Sequence, residues 1–168
     1  SLLQGFTIRN GKVTSASANT QGGCIYINNA TPTLKDLTLA VCSASSDGGG
    51  LYAYFTAGTL SLTDLRVEGS TSGTNGGGMT LNAGTAGTSQ LTRVTLVGNT
   101  AATGGGLYLT SATHRLSSLL VSSNTSTTSG GGLYLSSGTL EVSSSRFLSN
   151  TASSNGGGIG ISSGTVTL

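Results

Sequence analysis

Apolar and polar residues alternate in short bursts along the whole chain. Six bursts read Ile25-Tyr26-Ile27, Leu51-Tyr52-Ala53, Met79-Thr80-Leu81, Leu107-Tyr108-Leu109, Leu133-Tyr134-Leu135 and Ile159-Gly160-Ile161. A second set includes Leu60-Ser61-Leu62 and Leu140-Glu141-Val142. A third runs Phe6-Thr7-Ile8, Leu37-Thr38-Leu39, Leu65-Arg66-Val67, Val94-Thr95-Leu96 and Leu119-Leu120-Val121. Alternation with period two predicts β-strands with one buried face. No segment carries apolar residues at i, i+3, i+4 and i+7 over a helical length, so no helix is expected.

Glycine sets the longer period. Gly22-Gly23-Cys24 is followed by glycine triplets starting at Gly48, Gly76, Gly104, Gly130 and Gly156, so the starts lie 26, 28, 28, 26 and 26 residues apart. A fixed period in this range marks a solenoid. Three short strands and their turns fill one such period. The fold class expected is therefore all-β: a right-handed parallel β-helix with three strands per coil and about six coils of 26–28 residues. At the usual strand spacing six coils stack into a rod roughly 29 Å long. Residues 1–168 read as one β-helix segment. The first strand is of the third type and the last of the second, and neither end carries a polar cap, so an internal fragment of a longer solenoid is expected.

Composition narrows the function classes. Charged residues make up 7% of the chain and the net charge is +2, so nothing suggests a nucleic acid or an anionic membrane as partner. No apolar run is long enough for a membrane span. Lysine occurs only at positions 12 and 35. So little surface charge favours an extracellular or cell-surface location. No Lys follows a glycine triplet and no helix follows for a phosphate to cap, which excludes a phosphate-cradling loop.

Three sets of residues stand out. Asn99, Asn124 and Asn150 share one repeat position and are expected to stack as a structural turn ladder, with ligand binding as the alternative. Tyr26, Tyr52, Tyr108 and Tyr134 sit between inward aliphatic residues. They form a candidate exposed aromatic contact column, able to stack on sugar rings or simply on one another. Cys24 takes a third-glycine position and Cys42 the turn position held later by Asn. They are a candidate disulfide, the alternative being two buried thiols.

No catalytic, cofactor-binding or metal site is expected. Asp36 and Asp64 occupy equivalent positions in successive coils, but two carboxylates fall short of the six to eight oxygen ligands of Ca²⁺. Lys35 and Arg66 lie beside them, so surface ion pairs are expected. His114 is single, on a second-type strand, with no carboxylate nearby in its coil. Arg9, Arg66, Arg93, Arg115 and Arg146 fall in different columns. The outward second-strand column (Thr33, Ser61, Gln90, Arg115, Glu141, Thr167) is too mixed for a regular ice-binding array. Thr100, Thr125 and Thr151 align, but in a turn.

The unit Phe147-Leu148-Ser149-Asn150 with Gly156-Gly157-Gly158-Ile159 resembles the paired FxxN and GGAI repeats of chlamydial polymorphic membrane proteins. Leu96-Val97-Gly98-Asn99 and Val121-Ser122-Ser123-Asn124 are weaker copies, and Gly5-Phe6-Thr7-Ile8-Arg9-Asn10-Gly11 is similar to a coil of the wider pectate-lyase-like superfamily. The resemblance implies a β-helical autotransporter passenger on the outer membrane, linked to adhesion. The function expected is a structural or adhesive module without catalytic activity. Two alternatives are a fragment of a polysaccharide lyase or glycoside hydrolase with its active site elsewhere, and a subunit of a self-assembling extracellular filament. Expected partners are the rest of a longer chain, a host-surface protein or glycan, or copies of itself.

Overall fold

The computed structural model describes residues 1–15 and 19–167. The described residues are all-β without a helix, and every strand pairing is parallel, stacking into a solenoid of about six turns. Three strand columns form the faces expected from the alternation. The first column follows the glycines (Ile25–Asn28, Leu107–Thr110, Leu133–Leu135, Ile159–Ile161). The second contains Thr113–Ser117, Thr139–Ser143 and Thr165–Thr167, and the third Thr95–Val97, Leu120–Ser122 and Arg146–Leu148. In the early turns one strand bends across two or three faces, as in Leu2–Arg9, Thr33–Ala40 and Leu51–Glu68.

A fourth, shorter column is not among the three expected. Lys12–Val13, Ser43–Ala44, Thr71–Ser72, Thr100–Ala101, Thr125–Ser126 and Thr151–Ala152 form a separate six-stranded ladder. The alignment of Thr100, Thr125 and Thr151, expected in a turn, belongs to this sheet. Small side chains such as Ala44 and Ala101 face inward here, so the segment lacks the large apolar residues that betray the other strands.

Strand-by-strand register puts like on like. Leu51, Met79, Leu107, Leu133 and Ile159 stack in one column, and Leu62, Leu91, Leu116 and Val142 in another. The inward residues of the third strands, including Leu37, Leu39, Val67, Leu96 and Val121, are also buried. The two 28-residue repeats differ from the others at the corner between first and second faces, which is longer at 55–58 and 83–87. Phe55 turns into that wider corner and is fully buried, and the ladder shifts register between Phe55 and Ala57.

Each glycine of the triplet has its own reason. Gly48 has φ +65°, and a Cβ there would lie 2.4 Å from the Leu51 carbonyl oxygen, because the chain folds back over the start of the next strand. Gly49 lies against the next turn, where a Cβ would come 2.3 Å from the Gly77 carbonyl oxygen. The third position faces the turn ladder described below.

Inward positions of the first face should be intolerant of charge. Leu107→Asp places an unpaired carboxylate in a fully buried site and is expected to cost at least ~3 kcal/mol, while Tyr108→Ser on the other side of the same strand costs less. Urea denaturation of both variants checks this; equal losses would mean the faces are wrongly assigned.

Candidate functional site

The turn after each third strand carries a continuous polar column inside the rod: Cys42, Ser70, Asn99, Asn124 and Asn150. Asn99 and Asn124 are fully buried. The Asn124 Oδ1 accepts from both the backbone N–H and the side-chain amide of Asn99, at 2.9 and 3.0 Å. Asn150 Oδ1 accepts the same pair from Asn124, at 3.0 Å each. Each amide nitrogen also donates backwards to a backbone carbonyl: Asn99 to Val67, Asn124 to Leu96 and Asn150 to Val121. Ser70 continues the column, donating its N–H to Asn99 Oδ1 and accepting the Cys42 N–H at its hydroxyl. With so many of their polar groups engaged within the rod, these asparagines hold adjacent turns together.

The third glycine of each triplet abuts this column. A Cβ at Gly78, Gly106 or Gly132 would come within 3.0 Å of the Nδ2 of Asn99, Asn124 or Asn150 respectively. Cys24 and Cys42 stand at the same pair of positions, one as the third glycine and the other as the ladder residue. They are joined by a disulfide with Cα atoms 5.5 Å apart. A covalent bond therefore replaces, in the first coil, the glycine–asparagine contact of later coils.

The tyrosine column is less open than alternation suggests. Tyr26 is exposed, but Tyr52 is buried and Tyr108 and Tyr134 are half-buried. Tyr26 stacks on Tyr52 with ring centres 5.6 Å apart, and Tyr108 on Tyr134 at 5.8 Å. Burial raises the Tyr52 pKa, partly opposed by the side chains of Asn82 and Gln21. The expectation of four exposed rings is corrected: an outward direction does not give exposure when the preceding turn and the neighbouring ring cover the side chain. Thr80, buried between the two pairs, interrupts the stack.

Charged residues pair across turns. Asp64 takes Arg93 of the following turn as partner, at 2.6 and 2.8 Å, and that guanidinium lowers its pKa. Arg66 bonds Glu68 on its own strand instead. Asp36 accepts from the Gln4 amide. The partners expected for Asp36 and Asp64, Lys35 and Arg66, are thus displaced by residues that the coil register brings closer. Among the described residues no group of three His, Cys, Asp or Glu side chains is placed to hold a metal.

His114 points into the core, in register between Ser89 and Leu140. It is fully buried; Nδ1 lies 2.8 Å from the Ser89 hydroxyl and Nε2 has no hydrogen-bond partner. Burial pulls its pKa down to about 4, partly opposed by the backbone of Ser111 and Thr110.

The described residues also form concave surfaces, one of them along the second face. A groove of about 600 Å³ lies on the second face, where Gln90, Arg115, Glu141 and Thr167 follow one another turn by turn. Two residues along each strand, Thr92, Ser117 and Ser143 make a parallel row. Arg115 binds Glu141 with both its Nε, at 3.0 Å, and its Nη2, at 3.4 Å. The sequence places these residues in one outward column; the groove itself depends on the bend into the third face.

The architecture defines the class: a parallel β-solenoid. No family model, curated protein or solved structure matches the chain, so the class is stated on its geometry alone.

Two changes test the polar interior. Asn124→Ala removes the acceptor of a buried backbone N–H and should cost ~3 kcal/mol, against under ~0.5 for Thr125→Ala on the exposed side. Chemical denaturation distinguishes them, and similar losses would contradict a stabilising ladder. His114 is neutral in the native state down to about pH 4, whereas the unfolded chain protonates it below its ordinary value of 6.5. Its contribution is complete above pH 6.5 and is lost as pH falls towards 4, by roughly 3 kcal/mol over the window. Thermal melts from pH 7.5 to 4.5 should be flatter for His114→Leu; parallel curves would contradict the assignment.

Proposed function

We propose that this solenoid is an extracellular or cell-surface structural and adhesive module rather than an enzyme, in keeping with its resemblance to autotransporter passenger repeats of the pectate-lyase-like superfamily. The observation that carries the reading is the Cys24–Cys42 disulfide. Disulfides persist in oxidising compartments and are rare in the cytosol. This one joins the half-buried Cys24 to the buried Cys42 within the first coil, and its 18-residue separation corresponds to about 3 kcal/mol on a loop-entropy estimate. The exterior supports the same reading. Ser and Thr dominate it, and three ion pairs, Arg66–Glu68, Arg93–Asp64 and Arg115–Glu141, neutralise much of its charge. A rod of this kind presents long columns of neutral side chains to a partner.

The test uses the natural source. Antibody against the chain should label intact cells or their secreted matrix, and antibody fragments should reduce attachment of those cells to surfaces. Peptide mapping without reductant should recover Cys24 and Cys42 as one linked species. Labelling only after permeabilisation, or recovery of both cysteines as free thiols, would overturn the proposal.

A further inference from the structure

We infer that Asn10 is a site of spontaneous covalent modification: its side-chain amide cyclises onto the Gly11 nitrogen and ends as aspartate and isoaspartate. The inference goes beyond the surface reading. It depends on the Cys24–Cys42 disulfide and not on where the rod is displayed.

The chain holds three Asn–Gly pairs, Asn10–Gly11, Asn75–Gly76 and Asn155–Gly156. In such a pair the glycine nitrogen attacks the asparagine Cγ, unhindered because glycine carries no side chain. The N–Cγ bond forms, ammonia leaves and a succinimide ring results. Water then opens the ring at either carbonyl, giving aspartate or isoaspartate. The nitrogen must first release its proton to water, so a glycine N–H held in a hydrogen bond is protected and a free one is not.

The turn ladder decides which glycine is held. At each ladder position the backbone N–H donates to the ladder side chain of the following turn: Cys42 to Ser70, Ser70 to Asn99, Asn99 to Asn124 and Asn124 to Asn150. Gly11 is the ladder position of the first turn, since the residues after it, Lys12 and Val13, pair with Ser43 and Ala44. Its acceptor would be the Cys42 side chain, but that sulfur is bonded to Cys24. Among the described residues the Gly11 N–H has no acceptor. Asn10 is exposed, so its amide is open to water. Arg9 and Lys12, both exposed, flank the pair in sequence, and positive charge favours the deprotonated nitrogen.

Asn75–Gly76 has the opposite arrangement. The Gly76 N–H donates to the Thr103 carbonyl at 2.9 Å. Asn75 gives both its N–H and its side-chain amide to Asp47 Oδ1, at 3.1 and 2.9 Å. Attacking nitrogen and target amide are both tied to neighbouring turns. Asn155–Gly156 lies in the last described turn.

Conversion alters the first corner. It places a carboxylate between Arg9 and Lys12, and isoaspartate adds a methylene to the main chain. The Asn10 N–H donates to the Ala40 carbonyl, and the Gly11 carbonyl accepts from the Ser43 N–H. The added atom falls between these two bonds, which hold the first turn to the second. A long-lived rod therefore acquires a chemical mark of age at this corner.

The test incubates the whole chain at mildly alkaline pH, folded and in urea without reductant, and follows each Asn–Gly peptide by mass mapping. Folded Asn10 should convert within about threefold of its rate in urea, and folded Asn75 at least about tenfold slower than in urea. Combining Cys24→Gly with Cys42→Asn recreates the glycine–asparagine contact of later coils and gives the Gly11 N–H an acceptor. Once melting shows this variant folded, Asn10 should convert at least about threefold more slowly than in the parent, with Asn75 unchanged. Protection of folded Asn10 equal to that of Asn75 would overturn the inference, as would a folded double variant in which Asn10 converts as fast as before. Should the double variant not fold, the comparison of folded and urea rates decides alone. Cell labelling and attachment are read without reference to Asn10, so failure here leaves the surface reading standing.

Discussion

Stacking demands that each turn's backbone meet the next turn's at hydrogen-bonding distance around the circuit, corners included. Strands meet this requirement readily; tight corners do so only where side chains leave room. At the glycine triplet adjoining turns come too close to admit a side chain. The N–H of Gly76 donates to the Thr103 carbonyl, Gly77 to Gly104 and Gly78 to Gly105, so the ladder continues through the turn. A Cβ on any of the three would strike a carbonyl oxygen of the same or an adjoining turn. The recurrence of glycine at this corner follows from that spacing, and with it the 26–28-residue period.

Once the corners are fixed, the inside of the rod is determined column by column. Aliphatic columns need only shape, and Leu, Ile, Val and Met exchange freely along them. Polar columns need partners. The asparagines satisfy one another because each side chain both donates and accepts along the axis. His114 has no such series: it meets Ser89 on one side and Leu140 on the other, leaving Nε2 unpaired. A buried polar group is therefore secure in this fold when its column repeats it, and a source of acid sensitivity when it stands alone.

The same logic explains what could be read in advance. Gly22, Gly48 and their successors exposed the period, and Leu107 and Leu109 exposed the inward face of a strand, because both are local patterns repeated six times. The pairing of columns was also legible: Cys24 and Cys42 occupy positions defined by the glycines and asparagines of other coils. Features that depend on the exact corner path were not. The ladder through Thr71, Thr100 and Thr125 has small inward residues and no apolar alternation. Arg93 reaches Asp64 only once the offset of the next turn is known. The cover over Tyr52 comes from a turn and a neighbouring ring, neither of which period-two alternation describes.

A repeating rod poses a particular problem for function, since identical turns present identical surfaces and single out no place. A site arises where neighbouring turns differ within a column that the core does not constrain. Inward columns vary little, as the fully buried Leu62 and Leu91 illustrate, with the Ser89–His114 pair as the exception. Outward columns vary more: the second face passes from Ser61 through Gln90, Arg115 and Glu141 to Thr167, while the inward column beside it, Leu62, Leu91, Leu116 and Val142, stays aliphatic. The glycines and asparagines maintain the spacing of these outward side chains without specifying their chemistry. Strand register then converts residues 25 or 26 positions apart into adjacent groups about 4.8 Å from one another. Departures from the repeat are therefore what distinguish one turn from the next, and one of them, on the second face, coincides with a groove.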